Sequence, residues 1–210
     1  MSNRKNMKYS MKHKPFVIVV SGPSGTGKTT VLNYLKTLDN SLFCSVSATS
    51  RKKRSGEENG RDYIFVSRED FKRWIEQEKL LEWAEVYGEY YGTPRKPVMD
   101  ALSRGMDVIM DLEVQGKRSL EREFKDDLVS IFLLPPDLDE LKKRLISRGA
   151  EDEEKLKLRL ALAESELRWA YEYEYWVIND NVKKAANRIL SIIDAERMRQ
   201  KRVIYKDLKK

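Results

Sequence analysis

The chain has 210 residues, 40% of them apolar and 10% aromatic, enough for one α/β domain with a full core. No apolar run reaches the length of a membrane span, and the N-terminus carries charge without an apolar h-region, which sets aside membrane-spanning and secretory classes. The net charge of +7 is concentrated at the ends, since residues 1–14 and 196–210 each carry +5 and leave −3 for 15–195, a pattern that predicts frayed, solubilising tails rather than a nucleic-acid face.

Cys44, the single cysteine, excludes an internal disulfide and fits a reducing cytoplasm. Its apolar neighbours predict a small buried core residue. His13, the single histidine, falls in the basic tail and is given no catalytic role.

Phe16-Val17-Ile18-Val19-Val20 reads as a fully buried parallel strand. Gly22-Pro23-Ser24-Gly25-Thr26-Gly27-Lys28-Thr29 follows and completes the pattern G-x-x-x-x-G-K-[ST]. Val31, Leu32 and Leu35 then recur at helical spacing. Strand, glycine loop and helix together make a phosphate-binding loop. Its glycines let successive amide N–H groups converge on an anion, and the helix adds its N-terminal partial charge. Lys28 reaches β- and γ-phosphates, and the Thr29 hydroxyl is the expected Mg²⁺ ligand, with water completing the shell.

Leu42–Val46 reads as a second strand, running into a polar loop that holds four basic residues in a row, Arg51 to Arg54. Asp62–Val66 returns to strand character, and Ser67 caps a helix carrying Phe71, Trp74 and Ile75. Leu80–Tyr87 is a further extended segment, closed by a turn over Gly88–Pro94. Helix 97–104, strand 107–112, helix 115–124 and strand 128–134 follow. Pro135-Pro136 stops the last of these, and Asp137 caps a helix. A long helix over 153–173, a short strand over 176–178 and a helix from Val182 complete the chain. Strands alternating with helices predict a parallel sheet covered on both faces, with 47–92 as a small strand-rich insertion.

Ligands of such a sheet sit beyond the carboxyl ends of its strands. Ser47, Asp111 and Glu113 lie at such ends. The planar forks of Arg51 and Arg54 match a second phosphate group, and Tyr63 and Tyr91 offer phenolic O–H donors to it, although on charge alone a solvated basic loop reads equally well. A carboxylate that accepts two adjacent N–H donors would select guanine over adenine. Glu82, flanked by Leu80, Leu81 and Trp83, is the candidate, with Ser47 and Thr93 near O6 or N7.

Several stretches in series resemble guanylate kinase: residues 21–29, Ser47 to Arg54 with Gly56-Glu57, Gly60 and Asp62-Tyr63, and Leu81-Glu82-Trp83-Ala84. Tyr90-Tyr91-Gly92-Thr93, Asp111 to Gly116, Pro135-Pro136 and Arg144 to Gly149 continue the likeness, which spans about residues 15–195. The resemblance implies a three-layer P-loop NTPase fold with a parallel sheet, a small GMP-binding insertion and a helical lid. It divides the chain into a core (15–46, 94–140 and 175–195), a GMP-binding subdomain (47–93) and a lid with flanking helices (141–174).

It also implies transfer of phosphate from ATP to GMP or dGMP with Mg²⁺, in a cytoplasmic enzyme, monomeric or homo-oligomeric, without nucleic-acid or membrane partners. Lys28, Arg51, Arg144, Arg148 and Arg159 would be catalytic. The loop from Gly22 through Thr29, with Thr30 and Asn179, would bind ATP. Ser47, Arg51, Arg54, Tyr63, Glu82, Tyr91, Thr93, Asp111 and Glu113 would bind the acceptor. Arg144 and Arg148, four apart, would share a helix face, and residues 149–154 would act as the bend of a lid.

Ser50, Lys53 and Glu113 stand where the family usually has Thr, Pro and Asp. Two other readings stay open on the residues: a guanylate-kinase-like scaffold module that binds peptides, and a P-loop kinase for another acceptor. Lys28 in an intact glycine loop, with the arginines, favours an enzyme over the first. A Glu82 out of contact with the base would favour the second.

Overall fold

A computed structural model describes residues 12–86, 88–147 and 153–204. In chain order it runs β1 (Lys12–His13), β2 (Val17–Ser21), α1 (Lys28–Leu38), β3 (Phe43–Cys44), β4 (Ala48–Thr49), β5 (Ile64–Phe65), α2 (Arg68–Glu76), β6 (Leu80–Val86) and β7 (Glu89–Pro94). It continues with α3 (Arg95–Ser103), β8 (Val108–Asp111), α4 (Val114–Phe124), β9 (Leu128–Leu134), α5 (Leu138–Ser147), α6 (Glu153–Leu167), β10 (Tyr175–Ile178), α7 (Val182–Arg197) and β11 (Val203–Ile204).

Five strands form a wholly parallel sheet in the order β10-β9-β2-β8-β3. Its central strand, β2, is buried at every position. Alternation along β2 splits the core in two. Ile18 and Val20 join Val31 and Leu35 of α1 and Ile189 and Ile193 of α7 on one face. Val17 and Val19 join Val98 of α3 and Leu120 of α4 on the other. Each fully buried branched side chain contributes about 1.5–3 kcal/mol, so helices are held on both faces of the sheet. The expected three-layer parallel architecture is present.

The insertion is a second sheet, β5-β4-β7-β6, in which β4 and β5 are parallel and the other pairs antiparallel. Its core is Phe71 of α2, stacked on Tyr90 at 5.3 Å between ring centroids, with Ala48 and Leu80.

Several expectations are corrected. The segment 89–94 is strand rather than turn, because Tyr90 and Tyr91 pair across to Glu85 and Ala84. The second strand shrinks to Phe43–Cys44, and Cys44 is half-buried. The long helix ends at Leu167 and passes into a 3-10 turn over Arg168–Glu172.

The tails are not frayed at residues 12–14 and 196–204. β1 pairs with β11, and Lys14 N–H donates to the Arg202 carbonyl. Arg202 and Glu196, each 1% exposed, form an ion pair of 3.1 Å, with the Arg202 guanidinium over the Phe16 ring. His13 Nε2 lies 3.0 Å from both carboxylate oxygens of the buried Asp107, which also pairs with Arg197 at 2.7 Å. Positive charge at these positions is thus spent on internal pairs that fasten the two ends together. Residues 1–11, Tyr87, Arg148, 149–152 and 205–210, to which expectations also attach, lie outside the described residues.

Candidate active site

The loop after β2 enters α1 at Gly27, whose φ of 88° is left-handed. Gly22 is forced for a different reason. A Cβ there would lie 2.3 Å from the Leu133 carbonyl oxygen, so the loop runs close against β9. The loop is cross-tied internally, with Thr26, fully buried, donating through Oγ1 to the Pro23 carbonyl at 2.8 Å. Lys28 Nζ donates to the Gly22 carbonyl at 2.5 Å, so its ammonium lies along the inner rim of the cradle. Ser24, Thr29 and Thr30 are exposed on the loop and the first turn of α1.

Asn179, at the end of β10, is buried and donates through Nδ2 to the Thr26 carbonyl at 2.7 Å. Arg144 of α5 donates to the same carbonyl at 3.4 Å and to the Asn179 carbonyl at 3.2 Å, while Glu140 holds its Nε at 2.9 Å. Leu141 and Leu145 of α5 pack directly against Gly25. α5 therefore braces the loop, in addition to any part it takes in a lid. Gly27, Thr30, Arg144, Asn179 and Asp180 line an open cavity of about 390 Å³ beside the loop. Arg159 is exposed on α6.

β8 lies beside β2 with Asp111 opposite Val20, which places Asp111 next to the loop. Its side chain opens to solvent, yet neighbouring protein removes enough water to raise its carboxyl, Lys28 opposes the rise and Glu113 adds to it. Asp111 in turn is one of the charges that, after burial, raise the Tyr63 phenol. Asp111 therefore stands in electrostatic reach of Lys28 on the core and of Tyr63 on the insertion.

On the insertion, Arg51 makes a two-pronged pair with Glu57, at 2.6 and 2.8 Å. Its guanidinium lies 5.0 Å from the Tyr63 ring centroid, and the Tyr63 and Tyr91 rings meet edge to face at 6.0 Å. The Arg54 backbone N–H donates to Glu57 at 2.8 Å. Arg51, Tyr63 and Tyr91 thus meet through their side chains, Arg54 joins only through its backbone N–H, and Glu57 is an addition. Glu57 presets Arg51. Its only trace in the sequence is the matched pair Gly56-Glu57.

The Glu57 carboxyl is held down at about 2 by the Arg51 hydrogen bonds. A depressed carboxylate keeps its pairing above its own pKa and loses it as pH falls through that value, so the clamp is intact around neutral pH and is lost only in strong acid. Glu57→Gln should raise the KM for the acceptor about tenfold by weakening this charge-assisted fork, leaving the KM for ATP unchanged. Steady-state assays varying each substrate in turn check this.

Glu82 is 8% exposed and accepts from Thr93 Oγ1 at 2.7 Å. Trp83 does not shield it, being 48% exposed. The shielding arises from an extra residue in β6: Leu80 faces Pro94 while Glu82 faces Thr93, so Leu81 is an irregular insertion in the ladder. That bulge buries Leu80, Leu81 and Glu82 in succession, the first two in different cores. Burial raises the Glu82 carboxyl, Thr93 opposes the rise through its hydrogen bonds, and Glu113 reinforces it.

Glu113, exposed just ahead of α4, therefore acts electrostatically on both Asp111 and Glu82. Ser47 is half-buried at the entry to β4. Glu166 of α6 was not anticipated. Burial and then Glu113 raise its carboxyl, against Lys28 and the Ser24 N–H, which places it at the rim of the cradle.

The oxygen donors on and beside the loop are the exposed Thr29 hydroxyl on the first turn of α1 and the Asp111 and Glu113 carboxylates that follow along β8 and its end. That set suits a hard divalent cation of the Mg²⁺ kind. Among the described residues no group of three or more His, Cys, Asp or Glu side chains is placed to hold a metal ion.

A family model described as guanylate kinase matches residues 13–196. The chain is 41% identical to a guanylate kinase of Carboxydothermus hydrogenoformans, over 93% of this chain and 96% of the relative. It is 45% identical to a guanylate kinase of Halalkalibacterium halodurans, over 93% and 95%. The crystal structure of guanylate kinase from Anaplasma phagocytophilum matches it with a TM-score of 0.78 at 32% identity, over 93% of each chain. By family match, sequence identity and shared fold, the chain belongs to the guanylate kinase family.

Proposed function

We propose that the chain transfers the γ-phosphoryl group of ATP to GMP, and to dGMP, giving ADP and the guanine nucleoside diphosphate. What supports this reading is that one chain carries two anion-binding sets: the Lys28 cradle, with Asp111 of the neighbouring strand opposite Val20, and the Arg51–Tyr63–Tyr91 cluster of the insertion. A donor anion on one side and an acceptor anion on the other would bring two phosphates together.

The acceptor is a phosphate oxygen, already ionised near neutral pH, so no strong general base is needed. What the reaction needs is positioning and cations. In our reading Lys28 leaves the Gly22 carbonyl for the β- and γ-phosphates, while Arg51, Arg54, Tyr63 and Tyr91 hold the acceptor phosphate. Glu82, Thr93 and Ser47 read the guanine. Thr29, with Asp111 and Glu113 nearby, would hold Mg²⁺, which when bound offsets charge on the β- and γ-phosphate oxygens. Arg144, Arg148 and Arg159 add positive charge over the triphosphate, and Thr30 and Asn179 line the side where its nucleoside lies. With a single cysteine and, among the described residues, no helix long and apolar enough to cross a membrane, we place the enzyme in the cytoplasm.

A coupled assay of ADP formation, offering ATP with GMP, dGMP, AMP, CMP or UMP in turn, tests the proposal. GMP is expected to exceed AMP in kcat/KM by about 10⁴-fold, because an analogue that cannot supply the expected donors leaves buried polar groups unpaired. Equal use of AMP, or no turnover with GMP, would overturn it.

A further inference from the structure

Gly116 is the third residue of α4 and is buried. It is not among the glycines with positive φ, so no left-handed turn calls for it. Alanine is the better helix former at such a position. What distinguishes Gly116 is the volume it leaves. A Cβ there would lie 2.7 Å from Glu82 Oε2, 3.1 Å from Cδ and 3.4 Å from Cγ. The first distance is closer than the 3.0 Å that real Cβ atoms respect, and all three atoms belong to one side chain.

The rest of Glu82 is held as tightly. Thr93 Oγ1 bonds Oε1 at 2.7 Å on the other side of the carboxylate. A Cβ on Gly92 would lie 2.6 Å from the Glu82 carbonyl oxygen. Two glycines and a threonine thus grip this residue from main chain to tip.

We infer that Gly116 is a specificity-determining position, which sets where the Glu82 carboxylate lies by leaving empty the space into which Oε2 projects. The inference rests on Glu82 being the group that reads guanine. A carboxylate accepting two N–H groups from the edge of a flat ring needs both oxygens in the ring plane, and hydrogen bonds weaken steeply as that angle is lost. A methyl group at residue 116 must displace Oε2. Thr93 holds Oε1 in place, so the carboxylate turns out of plane or gives up the threonine bond. The displaced atoms are the end of a flexible side chain, so the fold absorbs the change and the loss falls on recognition. Gly116 acts through Glu82 and is a positioning residue.

Four variants test this with purified full chain: Gly116→Ala, Glu82→Asp, the double variant, and Glu82→Gln. Each is assayed with GMP, AMP and IMP, the last lacking the 2-amino donor, and melted in parallel. Gly116→Ala is expected to raise the KM for GMP about tenfold or more and to narrow the GMP-over-IMP ratio by a similar factor, with the KM for ATP unchanged and no drop in Tm. Aspartate is one methylene shorter and withdraws its oxygens from the clash. In the Glu82→Asp background, Gly116→Ala should therefore change the KM for GMP by less than about twofold, the non-additivity expected of two residues in contact.

Wild-type KM and base preference in Gly116→Ala, alongside lost preference in Glu82→Gln, would overturn the inference and leave the base-reading role standing. Unchanged preference in Glu82→Gln would overturn the base-reading role and the inference with it. Should Gly116→Ala fail to fold, a double variant that also fails would show that the clash is not with Glu82, which overturns the inference. A double variant that folds supports it.

Discussion

Lys28→Met should lower kcat by about 10³-fold, the scale of removing one pre-placed stabilising group from a transition state. Methionine keeps the unbranched stem and most of the volume, so the packing of α1 on the sheet should survive and the melting temperature should hardly change. The loss falls on charge. Lys28 Nζ lies on the rim of the cradle, bonded to the Gly22 carbonyl, and needs only to swing off that oxygen to meet a phosphate. Its ammonium is also the cation opposing the upward shift of Asp111. Steady-state kinetics at saturating ATP and GMP, with a thermal melt, check the result. A kcat within about tenfold of wild type would remove Lys28 from the transition state.

Glu82→Gln should lower kcat/KM for GMP by about 10²-fold or more and narrow the GMP-to-AMP ratio by a similar factor, because a glutamine offers one acceptor where a carboxylate offers two. It should do so without destabilising the protein. Burial raises the Glu82 carboxyl. A group whose folded pKa is raised contributes stability below its unfolded pKa and loses it as pH rises through the folded one. At neutral pH the ionised Glu82 is therefore a cost to folding that the neutral amide lacks, and Tm in the variant should hold or rise.

The same shift gives a pH signature. As pH falls towards the raised pKa, wild-type Glu82 takes up a proton, loses acceptor capacity, and the KM for GMP climbs. In Glu82→Gln that part of the profile should be flat. Parallel KM–pH curves for the two proteins would show that another group titrates.

What was legible in the sequence was local. The phosphate loop, its strand and its helix occupy neighbouring positions, and the glycine spacing, the apolar run and the 3.6-residue period carry them without reference to anything distant. Membership of the guanylate kinase family rests on such local signatures repeated in order. The alternation of strands and helices carried the parallel sheet for the same reason. The strand at 89–94 was hidden because glycine, tyrosine and proline together resemble a turn. Only pairing with β6 makes it a strand.

The sequence by itself determined that a nucleotide-binding loop opens a parallel α/β core, because that information lies within a few residues of chain. The tertiary structure alone decided how the acceptor side is set. The Leu81 bulge aims Glu82, Glu57 presets Arg51, and Gly116 makes room for a carboxylate 34 positions earlier in the chain. It alone decided that the basic ends are partly fastened, through Arg202 to Glu196 and His13 to Asp107. Gly116 with Glu82 and His13 with Asp107 are contacts between distant segments, while Glu57 with Arg51 and Arg202 with Glu196 lie close in sequence but meet only through the turn each segment takes, and sequence spacing does not encode distances that only folding creates.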